Sequence, residues 1–237
     1  MPLIHRVQGD DGFPATGEAL DYPNGLLAVG GELSPKRLIA AYQRGIFPWY
    51  EEPQPVMWWS PDPRSVLFPA ELHVSRSLRK TLRQKRFSLS VDRHFEDVLD
   101  GCAAARKDGP GTWIGEAMKS AYGKLYRQGI AHSIEVLNAS GNLAGGLYGV
   151  ALGRIFFGES MFSRESDASK VALVGLVDIL KRGGFQLIDC QVESDHMNQL
   201  GARNLDRLDF EQWLAHTAPM ENDATIWQIP AQCGTLA

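Results

Sequence analysis

The chain has 237 residues, 44% of them hydrophobic and 22% charged, with 24 Gly, 13 Pro and 3 Cys. This near-average composition excludes collagen-like and disordered classes and supplies enough apolar material for a sizeable core. A net charge of −4 excludes a globally basic nucleic-acid binder.

The opening MPLIHRVQGD lacks the apolar segment of a signal peptide. No apolar run approaches the roughly 18–20 residues of a membrane span, so a cytoplasmic protein without membrane contact is expected. Cys102, Cys190 and Cys233 are odd in number and widely spaced, which argues against disulfides and structural zinc. The histidines do not show metal-ligand spacing, and no metal is expected.

In chain order, Ser34-Pro35 predicts a capped helix start and Gly45 its end, with Leu38, Ile39 and Tyr42 on the apolar face. The prolines at 48, 53, 55, 61 and 63 then predict an irregular connector that carries Trp49, Trp58 and Trp59. Residues 1–62 are read as a small N-terminal α/β module ending in this aromatic, Pro-rich connector, and 63–237 as the main domain.

A helix is predicted near 75–84. Across Ser75–Val91 the chain carries Arg76, Arg79, Lys80, Arg83, Lys85 and Arg86 and no acidic residue. Helical spacing aligns Arg76, Lys80 and Arg83, a face suited either to solvent or to a phosphate backbone.

A strand near 87–92 and helices near 94–105 and 115–128 follow, the last with Met118, Ala121, Tyr122 and Leu125 on one side. His132–Leu137, Leu143–Leu152 and Arg154–Gly158 read as an antiparallel meander, in which Gly145, Gly146 and Gly149 mark bulges or close approaches. A helix from Asp167 to Arg182 and an apolar strand from Phe185 to Gln191 complete the pattern. Helices, meander, helix and strand in this order predict an α+β fold rather than alternating βαβ units.

Three places suit chemistry. Asp189 and Gln191 alternate onto one face at the exit of a buried strand, where they could orient an amine and receive its proton, or simply hydrogen-bond the strand end. Glu159, directly after Gly158, could hold an ammonium or a ribose hydroxyl with help from Ser160 and Ser163, or serve a turn. Cys190 with His132 or His196 would be a thiol hydrolase, but no local signature surrounds the cysteine.

The segments YPNGLLAVGGELSP, AYQRGIFPWY, MWWSPDPRSVL, GTWI, AHSIEV, GLYGV, FFGESMFSR, ASKVAL and LIDCQV, spread from Phe13 to Trp213, resemble the leucyl/phenylalanyl-tRNA–protein transferase family. That resemblance implies an enzyme that moves leucine or phenylalanine, and less efficiently methionine, from aminoacyl-tRNA to the N-terminal Arg or Lys of a protein. The product is marked for degradation by the N-end rule. It implies a C-terminal domain similar to GNAT-type acyltransferases, a monomer, and no cofactor, because aminoacyl-tRNA is the activated donor.

By the same resemblance Asp189 and Gln191 are the catalytic pair, Asp189 polarising Gln191. Trp49, Trp113, Glu159 and, more weakly, Ser160 surround the aminoacyl-adenosine, and Leu147 and Leu176 belong to the donor's apolar pocket. The six basic residues from Arg76 to Arg86 then read as the tRNA-binding face. Two other classes remain to be discriminated: a non-catalytic tRNA-binding adaptor, and a coenzyme A-dependent acetyltransferase, for which the pyrophosphate signature is missing.

Overall fold

The computed structural model describes residues 4–9, 11–104, 114–217, 220 and 224–227. A four-stranded sheet, in the order β1 (His5–Val7), β2 (Leu26–Gly30), β4 (Met57–Trp59), β3 (Phe47–Pro48), forms the N-terminal part together with helix α1 (Pro35–Tyr42). Helix α1 starts as its sequence dictates, with the Ser34 side chain accepting the Arg37 N–H at 3.3 Å and Pro35 in the first turn.

The connector expected to be irregular is partly ordered as strand. Pro48 is accommodated because β3 is an edge strand, where a missing N–H leaves no ladder partner unsatisfied. The indole of Trp59 adds a bond to the Trp49 carbonyl at 2.6 Å.

The larger sheet begins with β5 (Arg64–Leu67). Helix α2 (Arg76–Arg83), β6 (Phe87–Val91), α3 (Phe95–Ala104) and α4 (Glu116–Arg127) lead into the meander β7 (Ala131–Asn138), β8 (Leu143–Leu152), β9 (Ile155–Ser163). Then come α5 (Ala168–Arg182), β10 (Leu187–Gln191), α6 (Asp195–Asn198), β11 (Arg203–Leu205) and α7 (Arg207–Thr217). The strand order is β11-β5-β10-β9-β8-β7-β6, an α+β architecture as expected. Every neighbouring pair is antiparallel except β9 and β10, which run parallel because α5 supplies the crossover between them.

Strand alternation divides the core. Phe157 and Leu187 join Tyr42, Phe95, Tyr122 and Phe210 in one buried cluster, while their neighbours Phe156 and Ile188 join the α2 and α5 side chains Leu78, Val171 and Leu180 in another. Strand β8 is glycine-rich because its neighbours press against it. A Cβ on Gly149 would lie 2.2 Å from the Phe157 carbonyl oxygen, and one on Gly145 would lie 2.6 Å from the Ala168 Cβ.

Candidate active site

Pairing between β9 and β10 is confined to Ile155–Phe157 against Leu187–Asp189, although β9 continues to Ser163. Where the pairing stops, a cavity of about 390 Å³ opens, within the range of small-molecule sites. Gly158, Glu159, Ser160 and Met161 line it from β9, and Cys190, Gln191 and the residues after them from β10. Leu147 of β8 and Leu173 and Leu176 of α5 add aliphatic walls, and Phe47 and Trp49 reach it from the N-terminal part.

Each of the two parted strands carries a bulge at this point. On β9 the register jumps from Gly158 opposite Gly149 to Ser160 opposite Tyr148, leaving Glu159 as the extra residue. On β10 it jumps from Asp189 opposite Val66 to Gln191 opposite Ser65, leaving Cys190 extra. Bulges re-aim side chains, and here they aim Glu159 and Gln191 at each other: Gln191 Nε2 donates to Glu159 Oε1 at 3.1 Å.

Glu159 is buried and its carboxylate accepts from two tyrosine hydroxyls, Tyr42 at 2.7 Å and Tyr122 at 2.6 Å, which also lie 2.6 Å from each other. Burial pushes the Glu159 carboxyl up to about 7, against the opposing effect of the tyrosine donors. Burial, reinforced by the Glu159 charge, also drives both tyrosine hydroxyls well above their ordinary value. Helical periodicity marks Tyr42 and Tyr122 as core-facing. That their hydroxyls converge on one carboxylate depends on α1 packing against α4, which no local pattern reports.

Asp189 is placed differently from the sequence expectation. It is fully buried and bound by the Arg64 fork, Nε to Oδ1 at 2.8 Å and Nη2 to Oδ2 at 2.7 Å, and it is not among the residues that line the cavity. The bulge breaks the simple alternation that put Asp189 and Gln191 side by side. Asp189 Oδ1 accepts the Gln191 backbone N–H at 2.9 Å, while the Gln191 side chain turns to Glu159. Sequence reasoning does not find Arg64, since a single arginine after Pro63 gives no sign that it will be buried.

Of the residues expected at the donor site, Trp49, Leu147, Glu159, Ser160 and Leu176 share this one cavity, together with Gln191 of the expected catalytic pair. Trp49 is 43% exposed, an unusual state for an indole and one suited to stacking a ligand. Trp113 lies outside the described residues. The basic residues of α2 and the turn after it are all exposed, and among the described residues none of them lines the cavity.

The thiol hydrolase arrangement does not assemble: His196 lines the same cavity as Cys190, but among the described residues no hydrogen bond joins the two, and the thiol's bond goes to the Ile188 carbonyl at 3.8 Å. Burial, and secondarily the Asp189 charge, push the Cys190 thiol up, away from the reactive thiolate. His132 is paired with Asp92 at 2.7 Å and stacked on Trp227. Cys233 lies outside the described residues. Among the described residues, no group of three or more His, Cys, Asp or Glu is placed to hold a metal ion, and no helix is long and apolar enough to cross a membrane.

A family model described as leucyl/phenylalanyl-tRNA protein transferase matches residues 66–215, and one for the N-terminal domain of that transferase matches 31–62. The leucyl/phenylalanyl-tRNA–protein transferase of Pseudomonas putida strain W619 is 57% identical over 213 residues, covering 90% of this chain and 94% of the relative. That of Azotobacter vinelandii strain DJ is 56% identical over 212 residues, covering 90% and 93%. Among solved structures, a GCN5-related N-acetyltransferase from Kribbella flavida overlaps at TM-score 0.39 and 10% identity, covering 70% of this chain and 58% of that one.

Proposed function

The chain belongs to the leucyl/phenylalanyl-tRNA–protein transferase family, and from that premise we propose that it transfers leucine or phenylalanine, and less efficiently methionine, from aminoacyl-tRNA to the N-terminal Arg or Lys of acceptor proteins. Proteins so extended become substrates for N-end rule degradation. The observation that supports this reading most is a single cavity combining aliphatic walls, the Glu159–Gln191 pair and a partly exposed tryptophan.

In this reading Leu147 and Leu176 help to take the donor's side chain. An apolar pocket separates side chains that differ by a methylene by only about 1–3 kcal/mol, which suits an enzyme that accepts several apolar amino acids. Trp49 stacks on the 3′-terminal adenine, and Trp113 is assigned to the same adenosine. Ser160 is a further hydrogen-bonding candidate there. The exposed basic face of α2 follows the phosphates of the tRNA body.

The acceptor's α-nitrogen attacks the ester carbonyl of the donor. A C–N bond forms, the ester C–O bond breaks, and the ribose hydroxyl departs with the tRNA. A neutral amide is a very weak base, so Gln191 orients the amine through its side-chain oxygen while its amide nitrogen is bonded to Glu159. Glu159, titrating near neutrality, is the group suited to receive the amine's proton. Asp189 completes the pair through its bond to the Gln191 backbone. The donor is itself activated, so the reaction needs no coenzyme, and the protein acts as a monomer in the cytoplasm.

The test uses radiolabelled Leu-tRNA with a peptide beginning in Arg, the same peptide beginning in Gly, and an Asp189→Ala control. Label entering only the Arg peptide, and only with Asp189 intact, is the expected result. Binding of tRNA without transfer would favour an adaptor, and neither binding nor transfer would overturn the reading.

A further inference from the structure

Arg64 opens β5 and is 1% exposed. Besides its fork to Asp189, its Nη1 donates to the Gly45 carbonyl at 2.9 Å, and its guanidinium carbon lies 4.8 Å from the Phe47 ring centroid and 4.7 Å from that of Phe210. One buried cation therefore joins the N-terminal wall of the cavity, strand β10 and helix α7. A buried ion pair is weak evidence for stability, because apolar residues of similar volume often serve as well. What this pair supplies is direction.

The Asp189 oxygen gripped by Arg64 Nε is the one that accepts the Gln191 N–H. Gln191 sits at φ +65°, a left-handed conformation that is unfavourable for a non-glycine residue and persists only where the surroundings impose it. That conformation follows the bulge and accompanies the 3.1 Å contact of its amide with Glu159.

Resting on the aminoacyl-transfer reading, we infer that Arg64 is a positioning residue for transfer: through Asp189 it holds Gln191 in the left-handed turn that aims its amide at Glu159. Its bond to Gly45 and its stacking on Phe47 fix the opposite wall in the same frame. Arg64 itself does not line the cavity, so donor binding is not its task.

The test is a double-mutant cycle in the full-length protein with Leu-tRNA and an Arg peptide. Arg64→Lys keeps the charge and loses the planar fork. We expect kcat to fall roughly tenfold to a hundredfold while KM for Leu-tRNA stays within about twofold, as for a small misplacement of a reacting group. In a Gln191→Ala background the same substitution should have little further effect, because its route of action is gone. Phe210→Leu, which loosens the guanidinium without removing the ion pair, gives a second cycle if Arg64→Lys does not fold, and the same non-additivity is expected. Equal losses in both backgrounds, or a rise in KM with kcat unchanged, would overturn the assignment while leaving the transfer reading intact. A wild-type protein that does not transfer at all would overturn both.

Discussion

Replacing Glu159 by Gln keeps the side chain's size and an oxygen for a tyrosine hydroxyl, but removes an ionisation that burial has moved from 4.5 to about 7. Below the unfolded value the carboxyl is protonated in both states and gives no pH dependence. Between 4.5 and about 7 the folded protein keeps a proton that the unfolded chain has released, so stability falls as pH rises. Above that window both states are ionised and the full penalty of the buried charge is present. At about 1.4 kcal/mol per pH unit, the wild type loses on the order of 3 kcal/mol across the window, and the Gln variant does not. Urea unfolding of both proteins at about pH 4 and about pH 8 isolates this difference, because every other titrating group cancels between them. The variant should gain on the wild type by on the order of 3 kcal/mol at the higher pH. An equal difference at the two pH values would refute the argument. Transfer by the wild type should rise with pH through about 7, a limb the variant lacks.

Trp49→Ala should raise KM for aminoacyl-tRNA by an amount equivalent to roughly 1–3 kcal/mol while leaving KM for the acceptor peptide unchanged, as steady-state kinetics would show. Changing Arg76, Lys80 and Arg83 to Gln should weaken tRNA binding and flatten its salt dependence, by about one unit of logarithmic slope for each phosphate that is no longer neutralised. An unchanged slope would remove α2 from the tRNA footprint. Gly149→Ala forces a Cβ to within 2.2 Å of the Phe157 carbonyl oxygen and should destabilise the fold by about 1–3 kcal/mol or more in thermal unfolding. Gly158→Ala, whose Cβ would first meet an atom at 3.5 Å, should stay within about 1 kcal/mol of wild type.

Local chemistry alone determined much of this protein. The Ser34-Pro35 cap, the apolar faces of α4 and α5, the meander and its glycines, and the exposed basic run of α2 are all short-range signals, and each appears near where the pattern puts it, except that β9 runs on to Ser163, past the expected end at Gly158, and so takes in Glu159. The motif series likewise points to the transferase family, and it draws attention to Trp49, Glu159 and Gln191 without any geometry. Strands β3 and β4 escape such reading because proline and tryptophan obscure alternation, and edge placement, which makes Pro48 acceptable, is a property of the assembled sheet.

Tertiary structure decided the rest. Bulges arise from the pairing of one strand with another, so the separation of Asp189 from the cavity and the meeting of Gln191 with Glu159 cannot be read from a period of two. The Tyr42, Tyr122 and Glu159 cluster joins residues 117 and 37 positions apart, and the Arg64 and Asp189 pair spans 125. The Glu159 carboxyl reaches about 7 chiefly because packing removes water from it, and no sequence pattern reports the packing that excludes that water.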